Sequence, residues 1–275
     1  MTLLEAIILG IIEGLTEWLP VSSTGHLTIA EQLMGLPIDD PGITAFTAII
    51  QVGAIGAAIL YFWSDIYRLA SAWLAGLFNP AIRKSFDYRM GWYVIAGSIP
   101  IGVVGLLGRD IISGPLRSLW VVALALILWS GVMYLAERNG KQTRGESDLT
   151  LRDALFVGAA QCIALIPGVS RSGATISAGL LAGVDRVTAT RLAFFLGIPA
   201  LTAAGIYEAV GEATAVAAVG WTPTIIATIV SFIAGYASIA WLIRLVAHHS
   251  INVFVGYRIV LGLAVIIGLS TGMID

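Results

Sequence analysis

Long apolar runs without charge alternate along this chain with short stretches that hold nearly all the charge. Pro41–Ser64, Gly91–Gly108 and Ser118–Ala136 contain no charged residue. Leu192–Tyr207 is equally clean, and extends to Val210 if Glu208 sits near an interface. Ala213–Ile243 is longer still, and Ile251–Met273 is broken only by Arg258. The hydrocarbon core of a bilayer takes about 20 apolar residues to cross as a helix. These runs predict six transmembrane helices and an all-α polytopic membrane protein.

Two regions fit a full span badly. Met1–Gly35 holds two apolar stretches on either side of Pro20-Val21-Ser22-Ser23-Thr24-Gly25. Arg152–Gly183 holds two around Pro167-Gly168-Val169-Ser170-Arg171-Ser172-Gly173. Each stretch is too short or too acidic to cross alone. Irregular backbone at membrane depth survives only where protein or a water-filled cavity surrounds it. Both regions therefore read as re-entrant helical hairpins, 1–35 and 152–183.

The two loops align with each other, Val21-Ser22-Ser23-Thr24-Gly25 with Val169-Ser170-Arg171-Ser172-Gly173. Glu13 and Gln161 each lie nine residues before the first serine of their loop. The chain thus divides into two repeats within one membrane domain, 1–150 and 151–275, each a hairpin followed by three spans. Three is odd, so the second repeat enters from the opposite face, an inverted repeat whose broken helices meet near the midplane. Loops 64–90, 138–153, 183–191 and 244–250 then share one side and carry eleven Lys or Arg. The other side has both termini and loops 109–117 and 211–221, with only Arg109 and Arg117. The positive-inside rule makes the first side cytoplasmic, so the termini and the mouth of the first hairpin are expected outside.

Composition agrees. Charged residues make up 12% of the 275, against about 25% in soluble domains, and the mean hydropathy is +0.91. The net charge of −2 gives no reason to expect nucleic acid. Cys162 is the one cysteine, so no internal disulfide forms and no zinc-site spacing exists. The start does not read as a secretory signal, because no Lys or Arg precedes Arg68 and Glu5, Glu13 and Glu17 break the apolar run.

Ionisable groups inside a membrane are costly and are functional candidates by default. Glu13 and Glu17 stand at i and i+4 and share one helix face. Two close carboxylates suit proton handling or a divalent cation; the plainer alternative is an interfacial helix with its acids in water. Ser22, Ser23 and Thr24 open the second hairpin helix, where capping alone needs only one of them. A helix N-terminus aimed at the midplane is also an anion site. His26 lies three residues past Ser23, within reach on the same face, and is with Glu17 a candidate base for the serine hydroxyl, although a lone histidine is more often structural. Ser170, Arg171 and Ser172 repeat the arrangement, with Thr175 one turn beyond Arg171. The guanidinium fork matches phosphate oxygens; the alternative is an arginine that snorkels to an interface. Gln51, inside a span, serves either as an interhelical hydrogen bond or as a substrate contact. Arg258 is expected to snorkel near Tyr257.

A hydroxyl, two carboxylates, an imidazole and an arginine between two helix N-termini suit phosphoryl transfer, where positioning and charge stabilisation dominate. No Walker A loop, HExxH or GxSxG with partners is present. Broken helices and inverted repeats also suit a transporter or flippase for an anion or a lipid phosphate.

Residues Glu13 to His26 (EGLTEWLPVSSTGH) resemble the first signature of the undecaprenyl-diphosphate phosphatase, or bacitracin resistance, family. Residues Pro167 to Ile176 (PGVSRSGATI) resemble its second, and length and span pattern match throughout. Trp18 stands where phenylalanine is expected. The resemblance implies hydrolysis of undecaprenyl diphosphate, a long-chain isoprenyl diphosphate, to the monophosphate. It further implies recycling of the cell-wall lipid carrier in the bacterial inner membrane, and bacitracin resistance. It implies dependence on a divalent cation, Mg2+ or Ca2+, for which Glu13 and Glu17 are the ligand candidates, and frequent homodimers. It carries essential roles onto Glu17, Ser23 and Arg171, and supporting roles onto Glu13, His26, Ser170 and Thr175.

Overall fold

A computed structural model describes residues 1–37, 40–108, 111–112, 116, 118–211 and 219–274, with backbone only for 208–211. Arg109 and Arg117, on which the outer side of the charge count rests, lie outside the described residues. The structure is helical, with no strand among the described residues. The helices are α1 (Leu3–Glu17), α2 (Ser23–Leu33), α3 (Pro41–Tyr61), α4 (Trp63–Phe78), α5 (Phe86–Leu107) and α6 (Leu119–Asn139). They continue as α7 (Leu151–Gln161), α8 (Arg171–Leu181), α9 (Arg186–Gly211), α10 (Trp221–His248) and α11 (Asn252–Ser270).

Helices α3, α5, α6, α9, α10 and α11 are long and apolar enough to cross a membrane. They are the six expected from the uncharged runs, and the protein is a multi-pass membrane protein. Helices α1, α2, α7 and α8 have 15, 11, 11 and 11 residues, each shorter than a span.

The stretch 64–90, expected as a loop, instead contains helix α4. Its charges read as loop, but Asp65 and Arg68 pair with each other and with residues of other helices. Arg68 bonds Asp65 at 3.1 Å and also pairs with Asp87 of α5. Asp65 takes Arg191 of α9 at 3.0 Å. Leu69 is buried, whereas Trp63, Tyr67, Leu74 and Phe78 stay exposed.

Residues 148 positions apart repeat the same local devices. Thr2 and Glu5 form a capping box on α1, and Thr150 and Asp153 form one on α7. Burial pushes the Asp153 carboxyl up, yet hydrogen bonds from Arg144 and Thr150 hold it below its ordinary value overall. Ser22 and Ser170 cap α2 and α8, and both stand at φ 77°, a left-handed value that non-glycine residues adopt at a cost. Each accepts a bond from the glycine three residues on, Gly25 at 3.3 Å and Gly173 at 3.2 Å.

Small residues let these short helices approach their neighbours closely, as membrane interfaces require. Gly10 and Gly14 of α1 lie on the α10 backbone at Ala227 and Ser231, and Gly158 of α7 lies on the α5 backbone at Gly97. The aromatic centre joins Trp18, Phe62, Phe194 and Phe195 by edge-on contacts.

Candidate active site

The loops after α1 and before α8 are bonded to each other, which brings the N-termini of α2 and α8 together. Gly168 N donates to Ser22 Oγ at 3.1 Å, and Ser172 Oγ donates to the Leu19 carbonyl at 2.8 Å. Ser170 Oγ lies 3.2 Å from Ser172 Oγ. The hydroxyls of Ser22, Ser170 and Ser172 thus clamp the loops, and all three residues are buried. Thr175 Oγ1 donates back to the Arg171 carbonyl at 2.8 Å.

The reactive groups converge around Glu17, whose residue is 6% exposed. Ser23 Oγ donates to Glu17 Oε2 at 2.5 Å. Glu17 Oε1 accepts from Arg171 Nη2 at 3.2 Å. Hydroxyl, carboxylate and guanidinium therefore form one connected chain across the two loops. Arg171 Nε and Nη1 are buried and have no hydrogen-bond partner among the described residues. The one N–H of Nε and the two of Nη1, left unpaired on a buried cation, are costly unless a ligand takes them.

The Arg171 guanidinium is held from three sides. Glu17 bonds one edge. The Trp18 ring lies beneath it, with Cζ 4.7 Å from the ring centroid, and Trp18 Nε1 is fixed by the Ala54 carbonyl at 3.0 Å. The third side is the backbone at Gly197 of α9, where an added Cβ would overlap Nη1. Sequence reasoning did not find Gly197; nothing in an apolar run containing Gly197-Ile198-Pro199 marks it.

His26 is turned elsewhere. Its Nδ1 meets the Ser22 carbonyl at 2.7 Å and its Nε2 the Tyr257 hydroxyl at 2.6 Å. A carbonyl only accepts, so Nδ1 carries a proton, and in the neutral ring Nε2 accepts from Tyr257. Tyr257, whose ring stacks on His26, is a second residue that sequence reasoning passed over. Thr24 is exposed at the start of α2, with Thr28 Oγ1 bonded to its carbonyl. Gln51 is half-buried in α3, outside the hydrogen bonds of this site.

Arg258 does not snorkel. It is 0% exposed, because its acceptors are backbone carbonyls of the two loops deep in the protein rather than water at an interface.

A divalent cation has one fitting feature here: Glu13 Oε1 is buried with no hydrogen-bond partner among the described residues, one helical turn from Glu17. No group of three His, Cys, Asp or Glu stands together among the described residues. That donor set fits only an ion that completes its shell with phosphate oxygens and water, as Mg2+ commonly does.

The family model of bacitracin resistance protein BacA matches residues 6–264. The chain belongs to that family. Among its curated relatives is undecaprenyl-diphosphatase 3 of Frankia casuarinae, 58% identical over all of this chain and 99% of that one. An undecaprenyl-diphosphatase of Cutibacterium acnes is also 58% identical, over 98% of this chain and 97% of its own. One from Acidothermus cellulolyticus is 54% identical over 98% of each chain. Within the matched residues, 13–26 supply the hydroxyl and carboxylates of the candidate site, and 167–176 supply the cation.

Proposed function

We propose that this BacA-family protein hydrolyses undecaprenyl diphosphate to undecaprenyl phosphate and inorganic phosphate. It thereby recycles the lipid carrier of cell-wall synthesis and confers bacitracin resistance. The observation that carries the mechanism is the Ser23–Glu17–Arg171 chain of hydrogen bonds. The terminal phosphate sits between the α2 and α8 N-termini, where the free first-turn N–H groups and Arg171 Nε and Nη1 meet its oxygens. Ser23 Oγ attacks the terminal phosphorus while Glu17 takes the hydroxyl proton along the 2.5 Å bond. The bridging P–O bond breaks and undecaprenyl phosphate leaves with the electron pair. Glu17 passes that proton to the departing monophosphate oxygen; water then attacks the phosphoserine and gives a proton to Glu17, which returns it to Ser23 Oγ as the P–Oγ bond breaks and inorganic phosphate departs. His26, tied to Ser22 and Tyr257, orients the first turn of α2 rather than acting as the base. A Mg2+ or Ca2+ ion held by Glu13 and Glu17 would neutralise the diphosphate charge.

The surrounding architecture follows the same reading. Two inverted repeats, 1–150 and 151–275, each open with a re-entrant hairpin; the paired capping boxes and the paired φ 77° serines support it. The site opens outward in the bacterial inner membrane, with both termini outside.

Phosphate release by purified full-length protein in detergent tests the activity, and Ser23→Ala tests the route. Trapped phosphoserine at Ser23 in the parent, with turnover lost in the variant, is expected. Retained turnover in a folded Ser23→Ala protein would mean direct attack by water.

A further inference from the structure

Arg258 is a fully buried charge that the reaction above leaves unused. It stands in α11, is fully buried, and makes no ion pair among the described residues. Its partners are all neutral. Nε donates to Ser130 Oγ of α6 at 3.1 Å, and Nη2 reaches the Leu126 carbonyl of α6 at 3.5 Å. Nη1 donates to the Pro20 carbonyl at 3.2 Å, and Nη2 to the Gly168 carbonyl at 2.8 Å.

Pro20 and Gly168 are 148 positions apart, so they are equivalent residues, each two before its φ 77° serine. One guanidinium thus holds the same carbonyl of both loops. Gly168 is held on its other side as well, because its N–H donates to Ser22 Oγ. Its φ of +97° and the α6 backbone at Val122, against which a Cβ would press, leave it little room to move. A buried cation whose partners are all neutral is costly. A hydrophobic side chain would fill the same space without that cost, but it could not join the two loops.

We propose that Arg258 is a positioning residue for the phosphatase reaction. By bonding Pro20 and Gly168 together it fixes the spacing of the loops, and with it the placement of Ser23 and Glu17 against Arg171. It touches neither the substrate nor the reacting atoms. A planar fork is needed because the two carbonyls lie in different directions, and a lysine ammonium on its single stem reaches one of them. The inference rests on the phosphatase reading.

The test uses purified full-length protein in detergent, undecaprenyl diphosphate as probe, and three readouts: kcat, KM and melting temperature. Arg258→Lys keeps the charge and loses the double tie. Its kcat is expected to fall about 10- to 100-fold, as misplacement on the order of 1 Å does, with KM within about twofold and the melting temperature within about 4 °C of the parent. Ser130→Ala removes the Nε acceptor and leaves the cation in place, and covers the case in which the lysine variant does not fold. Its kcat is expected to fall about threefold, a fraction of one hydrogen bond, at unchanged KM. Parental kcat in folded Arg258→Lys would overturn the proposal, as would a kcat loss matched by an equal loss of folded protein. Parental kcat in Ser130→Ala would do so where the lysine variant is unfolded. No release by a folded parent would bring down the phosphatase reading itself, a different result from an active parent with indifferent variants.

Discussion

The two hairpins share a skeleton and divide the chemistry. Thr2 and Thr150 begin them, Ser22 and Ser170 cap their inner helices, and Gly25 and Gly173 stand in the first turn where a Cβ would fit tightly. Among the matched positions that differ, four bear on the chemistry. Glu13 faces Gln161, Glu17 faces Leu165, Ser23 faces Arg171, and His26 faces Ala174. The first hairpin keeps the acids and the hydroxyl; the second keeps only a cation. A second set of carboxylates would have repelled the phosphate that the paired N-termini attract. A second arginine would have left the serine position without a nucleophile. Under the proposed function, the shared skeleton supplies two anion-binding helix ends, and the differences assign one to reaction and the other to charge.

Removing the cation breaks that division most severely. Arg171→Ala leaves Glu17 buried beside Ser23 with no counter-charge and strips three donors from the phosphate site. The kcat for phosphate release is expected to fall about 10³-fold or more, the range seen for arginines that stabilise phosphoryl transfer. Arg171→Lys is expected to recover only part of it, because a point charge does not reproduce the fork. Full activity in a folded Arg171→Ala protein would remove the second hairpin from the reaction.

What the sequence could tell follows from the same division. The six spans were legible because each is a run with almost no charge, and the candidate site because serine, arginine and acids stand out among apolar neighbours. Helix α4 was hidden because its charges are paired with Asp87 and Arg191 from other elements, which no local pattern reveals. Arg258 was misplaced for a related reason: its partners Pro20 and Gly168 lie 238 and 90 residues away and are backbone carbonyls, which leave no mark in composition. Gly197 and Tyr257 escaped because their role is to hold Arg171 and His26, and only the folded chain brings them there.

Gly197→Ala sharpens the comparison without touching any charge. The new Cβ would occupy the place of Arg171 Nη1, so the guanidinium must shift while the Ser23–Glu17 bond is left alone. A kcat loss of about 10- to 100-fold is expected from that displacement, with stability lower by about 1–3 kcal/mol from overpacking. Gly131→Ala in α6 is the control, since a Cβ there meets nothing within 4 Å. It is expected to keep parental kcat and to gain up to about 1 kcal/mol from helix propensity. Equal kinetics in the two variants would show that the guanidinium tolerates movement, and that the cation of the second hairpin acts by charge rather than by place.

Trp18→Phe gives the smallest effect and asks how firmly the first hairpin grips the cation of the second. Phenylalanine, the residue expected there from the family signature, keeps an aromatic face under Arg171 but cannot donate to the Ala54 carbonyl. The loss is about 1 kcal/mol for one buried hydrogen bond, with some further loss of packing against Phe194. In a thermal melt in detergent the variant should unfold a few degrees lower, while kcat changes by about twofold at most, since roughly 0.4 kcal/mol is that factor. A tenfold fall in kcat with an unchanged melt would mean the reverse. The indole would then be setting the angle of the guanidinium toward the phosphate, and the anchor at Ala54 would belong to the catalytic geometry rather than to the packing of α3.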